Sequence, residues 1–347
     1  MPSLRTLVAI PVSLALLLAP VTAGSASSAE ATDPLLSQFL TKGGAPAAAL
    51  LERDGDGVRY AAAGPGIGRA DHFRAGSVTK TFIATVVLQL AAEHRLSLSD
   101  PVERHLPGLL RGRGVDGRRI TLRALLSHTS GLADFSEATR ASVPLTPLQA
   151  VRLALALPST GAGRFSYSST GYVVLGMVVR QVTGHSYAAE ARRRIIAPLR
   201  LTGTSFPGAR TSLPAPHGRA YASDGSDVTE LDPRVAGAAG EVVTTLDDLD
   251  RFYAALLGGE LLPARRLREM LDTRATRGAY GLGIYPVRLP CGTTVWGHNG
   301  RIPGSYVRSA ASADGRHVLT FRVNTTSVAD PALEPALLAA EFCPRGR

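Results

Sequence analysis

Hydrophobic and polar positions are arranged in two different ways along this chain, and the difference separates strands from helices. Two apolar runs, 47–53 and 58–62, flank the turn Asp54-Gly-Asp-Gly57, a pattern typical of a β-hairpin. Towards the C-terminus, four more runs predict strands over 281–288, 293–298, 305–310 and 317–324. Helical patterns, most of them with capping or glycine stop signals, predict helices over 148–157, 171–183, 246–257 and 332–342.

This order of elements predicts an α+β fold. The strands at the two ends of the chain are expected to share one antiparallel β-sheet flanked by helices, with an all-α lobe inserted between them. We therefore assign residues 30–100 and 230–347 to the sheet-bearing lobe and residues 101–229 to the mainly helical lobe. Both lobes together are long enough to bury a substantial core.

The segment 82–92 is apolar nearly all round, which is typical of a helix buried inside a large domain. Just before it, Ser77-Val-Thr-Lys80 sets a hydroxyl and an amine on one face of the first helical turn. A helix N-terminus and burial both disfavour a protonated lysine, and a neutral amine can take the proton of a serine nucleophile. Lys42 and Lys80 are the only lysines among 38 basic residues, although the motif alone also fits an ordinary surface lysine.

Two further polar clusters carry candidate chemistry. In the predicted loop 165–172, Tyr167 can relay a proton with Ser169 beside it, and the alternative is a turn that caps the following helix. In the segment 296–300, His298 is bracketed by small residues at the predicted end of a strand. A histidine there suits proton transfer or electrostatic stabilisation, and the alternative is a structural histidine.

The N-terminal segment 1–29 predicts a secretory signal peptide. Arg5 precedes an apolar stretch over 7–20, and small residues follow with possible cleavage sites after Ala23, Ala26 or Ala29. The stretch is short and broken by proline, so we expect no stable membrane insertion, with an uncleaved anchor as the alternative. The predicted location is extracellular or associated with the cell wall.

The net charge of +10 and the pI near 10.2 bear on partners. The arginines are scattered and no aromatic stacking platform lies between them, which argues against nucleic acid. A secreted basic protein is instead expected to meet an anionic cell wall.

Cys291 and Cys343, the only cysteines, are expected to form one disulfide, with two free thiols as the alternative. The eight histidines lack ligand spacing with cysteines or acids, so we predict no metal and no cofactor.

Taken in order, Ser77-Val-Thr-Lys80, Tyr167-Ser-Ser169 and His298-Asn-Gly300 resemble the motifs of the penicillin-recognising serine hydrolases. That family has S-x-x-K, Y-x-N and H-T-G or K-T-G at similar separations. The chain is similar in particular to the secreted D-alanyl-D-alanine carboxypeptidases of actinomycetes and the class C β-lactamase group. The loops 125–132 and 240–248 also resemble family loops, so the resemblance extends over the whole mature chain.

The resemblance implies a role for each matching position. Ser77 is expected to be the acylated nucleophile, Lys80 its base partner and Tyr167 the residue that accepts or relays the proton. His298 is expected to support proton transfer and substrate binding from its strand. The backbone N–H groups of Ser77 and Arg301 are expected to form the oxyanion hole. The implied reaction forms an acyl-enzyme, releases D-alanine and ends with hydrolysis.

The sequence departs from the family at the substrate-binding positions Ser169, Asn299, Gly300 and Arg301. Ser169 replaces the usual asparagine, and Asn299 and Arg301 stand where threonines that hold a substrate carboxylate are common; Arg288 is a further candidate for that contact.

Three functions remain open. The leading one is a D-alanyl-D-alanine carboxypeptidase acting on peptidoglycan-type peptides. The others are a β-lactamase-like hydrolase of esters, β-lactams or D-amino-acid peptides, and a non-catalytic wall-binding relative.

Overall fold

The strands and helices described below come from a computed structural model, which describes residues 24–112 and 114–343. Most of the predicted signal peptide, residues 1–23, lies outside the described residues, and Ala26 and Ala29 fall within the first helix. The strands are β1 (Ala48–Asp54), β2 (Gly57–Ala63), β3 (Phe73–Arg74), β4 (Arg111–Gly112), β5 (Val115–Asp116), β6 (Val243–Thr244), β7 (Tyr285–Arg288), β8 (Thr294–Ile302), β9 (Ser305–Ala311) and β10 (His317–Val323).

Helices pack around these strands, and many of them lie between residues 79 and 257. They are α1 (Gly24–Thr41), α2 (Thr79–Ala92), α3 (Val102–His105), α4 (Leu122–Leu126), α5 (Phe135–Thr139), α6 (Pro147–Ala156), α7 (Ser169–Thr183), α8 (Tyr187–Ala191), α9 (Leu246–Leu257), α10 (Ala264–Met270) and α11 (Leu333–Phe342). No helix in the described part of the chain is long and apolar enough to cross a lipid bilayer.

The central sheet has six strands in the order β2-β1-β10-β9-β8-β7, all antiparallel. The N-terminal hairpin joins the C-terminal strands through β1 and β10, where Leu50 lies opposite Phe321. The expectation that both ends of the chain share one antiparallel sheet is therefore confirmed. This pairing brings the segment around Ser77 to the same sheet as β8, which carries His298.

Each face of the sheet packs against helices. On one face α1 and α11 cover the strands, and the Phe39 ring lies 5.0 Å from that of Phe321. On the other face lies α9, where Phe252 stacks on Phe82 of α2 with ring centroids 3.8 Å apart. Burying each of these aromatic side chains stabilises the fold by roughly 2 kcal/mol. The nucleophile helix is thereby fixed in the interior rather than on the surface.

Two strand boundaries differ from the sequence prediction by more than one residue. The predicted strand over 281–288 is wrong in its first half, because only Tyr285–Arg288 forms β7. Gly283 has φ +78°, and a Cβ on it would lie 2.4 Å from the Ala84 side chain, so the chain turns tightly against α2 here. The strand predicted over 293–298 continues to Ile302, which places His298 inside a strand and not at its end.

The predicted disulfide between Cys291 and Cys343 is present. Cys291 lies in the turn between β7 and β8, and Cys343 follows α11. The bond therefore ties the last helix to the hairpin that contains His298.

Candidate active site

A single turn of 3-10 helix, Gly76–Val78, presents Ser77 just before α2 begins at Thr79. Lys80 lies in the first turn of α2 with its side chain fully buried. Its Nζ atom is 3.0 Å from Ser77 Oγ and donates a hydrogen bond of 2.8 Å to the Ala239 carbonyl oxygen. The structure thus brings the predicted nucleophile and base partner into direct contact.

The electrostatics of the site favour a neutral Lys80. Burial lowers its pKa from 10.5 to about 7, while the negative charge of Asp134 acts in the opposite direction. The Ala239 carbonyl occupies one direction around Nζ, so a lone pair on the neutral amine can face Ser77. A group with a pKa near 7 is suited to accept a proton at neutral pH.

The backbone around Gly76 accounts for the closeness of β8 to the nucleophile. Gly76 has φ +50°, and a Cβ at this position would lie 2.8 Å from the Arg301 nitrogen. Gly300 makes the matching approach, since its Cβ would lie 1.8 Å from the Ala75 oxygen. Two glycines therefore let the backbones meet, and the N–H groups of Ser77 and Arg301 lie on adjoining segments. An oxyanion hole requires such a pair of backbone donors.

Tyr167 lies beside this pair, two residues before α7. Its ring centroid is 4.8 Å from Lys80 Nζ and 4.2 Å from the ring of His128. Burial raises the pKa of the Tyr167 hydroxyl, and its hydrogen bond with Ser77 opposes that rise. The phenol is therefore protonated near neutral pH, which suits a proton relay better than a phenolate base.

His298 lies in the middle of β8 with both ring nitrogens engaged by the protein. The Tyr280 hydroxyl is 2.8 Å from Nε2, and the Asn299 carbonyl oxygen is 2.5 Å from Nδ1. Because a carbonyl can only accept, Nδ1 carries the proton and Nε2 accepts from Tyr280. Burial and the nearby charge of Lys80 lower the pKa of His298 to about 3. The imidazole is neutral, so it supports the site without offering a positive charge to a substrate.

The side chains of Asn299 and Arg301 differ in their availability. The Asn299 amide donates to the Tyr306 hydroxyl at 3.2 Å, and Tyr306 in turn bonds to Glu334 of α11. That contact directs the Asn299 amide to the α11 side of the sheet, and a role for this side chain in substrate binding stays a prediction. Arg301 is exposed beside the nucleophile turn, and Arg288 is exposed at the end of β7.

Ser169 is the first residue of α7, where the sequence predicted a loop. Its hydroxyl is 3.3 Å from Ser136 Oγ, and Ser136 Oγ donates to Asp134 Oδ1 at 2.8 Å. The hydroxyls of Ser169 and Ser136 and the Asp134 carboxylate are thus hydrogen-bonded in series, starting at the position where relatives have asparagine. The negative charge of Asp134 raises the pKa of both Lys80 and Tyr167.

Sequence reasoning missed several groups that complete the site. His128 lies in the family-like loop 125–132, and its Nδ1 accepts the Ser168 backbone N–H at 3.1 Å. Ala239 immediately precedes the other family-like loop, 240–248. Tyr280 carried no local signal, because its partner His298 is 18 residues away on β8, and the charge of Asp134 acts on Lys80 and Tyr167 only in the folded chain. Among the described residues, no group of three or more histidine, cysteine or acidic side chains could hold a metal ion.

A cavity of about 670 Å³ lies behind the site, between α6, α7 and the turn Gly237–Ala239. Its walls are mostly apolar, and it contains the Glu241 carboxyl, whose pKa is raised to about 7 by burial. The Ala239 segment separates the cavity from Lys80, since the Ala239 carbonyl bonds to Nζ on the other side. Neither Ser77 nor Tyr167 lines it.

Comparison with known proteins decides the family. A family model described as Beta-lactamase matches residues 32–341. The chain belongs to this family. The family includes the penicillin-recognising serine hydrolases. Penicillin-binding protein 4 of Amycolatopsis lactamdurans is 30% identical to this chain over 317 residues, which cover 80% of this chain and 82% of that protein.

Solved structures of the family superimpose closely. A D-stereospecific amidohydrolase from Streptomyces sp. is 39% identical, with a TM-score of 0.86 over 91% of this chain and 99% of that one. The D-amino acid amidase of Ochrobactrum anthropi SV3, in complex with L-phenylalanine amide, is 25% identical, with a TM-score of 0.79 over 90% of this chain and 98% of that one. The α+β fold and the hydrolase family expected from the sequence are thus confirmed.

Proposed function

We propose that the protein is a serine amidohydrolase that cleaves amides or peptides of D-amino acids through an acyl-enzyme on Ser77. The observation that carries the proposal is the 3.0 Å separation of Ser77 Oγ from the buried Lys80 amine. The substrate class is supported by the 39% identity to a D-stereospecific amidohydrolase. It is also supported by Ser169, because an asparagine that orients the acyl amide of penicillins or peptides is absent there.

Acylation begins with proton transfer from Ser77 to Lys80. Ser77 Oγ gives its proton to the neutral amine and attacks the substrate carbonyl carbon, so that one C–O bond forms and an oxyanion develops. The N–H groups of Ser77 and Arg301 would donate to that oxyanion. The new ammonium of Lys80 keeps its hydrogen bond to the Ala239 carbonyl, which holds it close to the reacting atoms.

Collapse of the intermediate then breaks the amide C–N bond. The leaving nitrogen takes a proton from the Tyr167 hydroxyl, and Lys80 returns a proton to Tyr167. The Tyr167 hydroxyl can supply this proton because its raised pKa keeps it protonated near neutral pH. Water next attacks the ester carbonyl carbon on Ser77, and its proton passes to Lys80. The bond between Ser77 Oγ and the acyl carbon then breaks, Lys80 returns the proton to Ser77 Oγ, and the acid is released.

A second candidate is the D-alanyl-D-alanine carboxypeptidase expected from the motifs. The exposed Arg301 guanidinium favours it, because a cation next to the oxyanion donors can bind the terminal carboxylate of a peptide. The 30% identity to a penicillin-binding protein supports it as well. The two candidates share the Ser77 chemistry and differ in the leaving group.

Acyl-enzyme trapping tests the shared chemistry. The protein is incubated with a penicillin and, separately, with a D-amino-acid ester, and the adduct is located by mass spectrometry. We expect an adduct on Ser77 and none in Ser77→Ala. Folded protein with no adduct from either reagent would contradict the proposal and favour a non-catalytic, wall-binding relative.

Product analysis separates the two candidates. The rates of hydrolysis of D-alaninamide, of a D-Ala-D-Ala-terminated peptide and of a short-chain ester are compared under the same conditions. We expect the D-amino-acid amide to be preferred by kcat/KM. A preference for D-Ala-D-Ala release, lost in Arg301→Gln, would instead support the carboxypeptidase.

We further propose that the protein is secreted and associates with an anionic cell wall. The disulfide between Cys291 and Cys343 supports an oxidising compartment, and the net charge of +10 supports the wall. Fractionation of the producing cells, with release of wall-bound protein by salt, tests both parts. Recovery of the protein in the cytosolic fraction would refute the location.

A further inference from the structure

Arginines that are scattered along the sequence come together at one end of the folded molecule. They surround the C-terminal end of α2, about 20 Å from Ser77 at 1.5 Å per residue. The segments 93–95, 190–194 and 260–274 lie there together with Arg123, and we name this surface the basic end. Its charged side chains are Arg95, Arg123, Arg192, Arg193, Arg194, Arg265, Arg266, Arg268 and Arg274, against Glu93, Glu190, Glu260, Glu269 and Asp272.

Hydrogen bonds hold these segments around the end of α2. Arg266 of α10 donates to the Ala91 carbonyl oxygen at 2.7 Å, and Arg194, which follows α8, forms an ion pair with Glu93. Arg95 donates to a backbone carbonyl near the end of α7, also at 2.7 Å. The positive side chains therefore belong to one surface that four helices build together.

The carboxylates of the basic end are too few to neutralise its arginines. Glu190 pairs with two arginines, and Glu269 pairs with three, namely Arg123, Arg265 and Arg266. Nine arginines face five carboxylates, so this surface holds four of the ten net positive charges of the chain. Arg95, Arg192 and Arg268 are exposed and form no ion pair with another described residue. These three guanidinium groups are available to an anionic partner.

The shape of the basic end favours an elongated partner. An open groove of about 410 Å³ lies between the end of α2 and residues 261–263, and Arg193 and Arg194 line it. Such a groove with arginines along and around it can follow a chain of anions. A guanidinium group binds a phosphate through two parallel N–H donors, and this geometry does not depend on any other feature of the polymer.

We propose that the basic end binds a linear phosphate polymer of the cell wall and so attaches the protein there. The inference rests on the proposed association with an anionic wall and names the surface and the partner within it. Because Ser77 lies at the opposite end of α2, the bound polymer leaves the active site uncovered. The attached protein should therefore be acylated as fast as the free protein.

The test measures the Kd for poly(glycerol phosphate) in the wild type and in the triple variant Arg95→Gln, Arg192→Gln, Arg268→Gln. All three side chains are exposed, so the variant is expected to fold, and a melting curve checks this. We expect Kd to rise about 100-fold at about 0.1 M salt, since each arginine near an anionic surface contributes about fivefold. The slope of log Kd against log salt concentration should also fall by about two, because fewer counterions are released.

The matched control is the triple variant Arg152→Gln, Arg210→Gln, Arg316→Gln. It removes the same net charge from exposed arginines that lie outside the basic end. Its Kd for the polymer should stay within about threefold of the wild-type value. Equal losses in the two triple variants would mean that net charge alone drives binding, and this would overturn the basic end as the binding surface.

Other outcomes are equally decisive. Tighter wild-type binding to poly-glutamate or to a DNA duplex, at the same concentration of anionic groups, would overturn the partner. Slower penicillin acylation of Ser77 in the polymer-saturated wild type would overturn the orientation. A wild-type protein that binds neither the polymer nor isolated cell walls would refute the proposed wall association itself, whereas the proposed hydrolase chemistry is judged separately by acylation of Ser77.

Discussion

Burial of Lys80 changes what the side chain can do, and the effect depends on a few atoms. The fully buried amine touches Ser77 Oγ and the Ala239 carbonyl, and its pKa is lowered to about 7. An exposed lysine at the same spacing would be protonated near neutral pH and could not take the Ser77 proton. The contact and the burial are therefore both needed for the proposed chemistry.

The pH dependence of catalysis follows directly. Activity requires the neutral amine, so kcat/KM should rise with pH through an apparent pKa near 7 and then level off. Stopped-flow acylation across pH 5 to 9 measures this limb. Lys80→Arg keeps the positive charge but cannot lose it, and it should slow acylation by about 100- to 10,000-fold at every pH. A profile that is flat around pH 7 would contradict the base assignment.

Glu241 gives a second residue-scale prediction, in the stability of the fold. Burial raises its pKa from 4.5 to about 7, so between these values the folded state holds a proton that the unfolded state releases. The free energy of unfolding should therefore decrease as pH rises from about 4.5 to about 7, and above that the full cost of the buried charge applies. Glu241→Gln should stabilise the protein by about 3 kcal/mol at pH 8 and by little below pH 4.5.

Urea unfolding at pH 4.5 and pH 8 checks this, with Glu260→Gln, an exposed carboxyl, as the control. Equal effects of Glu241→Gln at the two pH values would show that the lost carboxyl acts through packing and not through its charge.

At the scale of elements, the junction between the nucleophile turn and β8 depends on glycine. Gly76 and Gly55 both have positive φ, +50° and +55°, but a Cβ on Gly76 would collide with Arg301 whereas a Cβ on Gly55 meets nothing within 4 Å. Gly55→Ala and Gly76→Ala should each lose about 1 kcal/mol of stability from the backbone conformation. Only Gly76→Ala should also lose activity, by 100-fold or more, because the Arg301 N–H is displaced.

Paired melting curves and acylation rates of the two variants give the comparison. Near-normal acylation in a folded Gly76→Ala protein would show that the Arg301 N–H is not part of the oxyanion hole.

Elements with local stop and start signals were predictable from the sequence. The helix over 246–257 has the predicted bounds, because Thr245 caps it and Gly258-Gly259 follows it. The strand over 281–288 was predicted too long, since the turn at Gly283 is set by packing against α2, which no local pattern reveals. The same distinction between local and long-range contacts applies to the residues of the active site. Ser77 and Lys80 are neighbours in sequence, whereas Tyr280 meets His298, and the charge of Asp134 acts on Lys80, only in the folded chain.

The disulfide acts at the scale of the whole molecule. Cys291 and Cys343 are 52 residues apart, and closing a loop of this length stabilises the fold by about 4 kcal/mol in the chain-entropy model. The double variant Cys291→Ser with Cys343→Ser should lose roughly that amount in chemical unfolding. Its acylation rate at low temperature should stay near that of the wild type, because neither cysteine touches the site. A lost acylation rate in folded protein would show that the bond positions β8 for catalysis.

The pairing of β1 with β10 also has a consequence for the order of folding. Strand β1 (residues 48–54) pairs with β10 (residues 317–323), so this pairing in the middle of the sheet joins segments separated by most of the chain. Such long-range pairing is slow, and it cannot form while the chain is still being made. The approach of Arg301 to Gly76 likewise awaits the last third of the chain. A growing or truncated chain therefore contains the nucleophile but not the oxyanion hole, so the proposed hydrolytic activity would appear only once synthesis is complete.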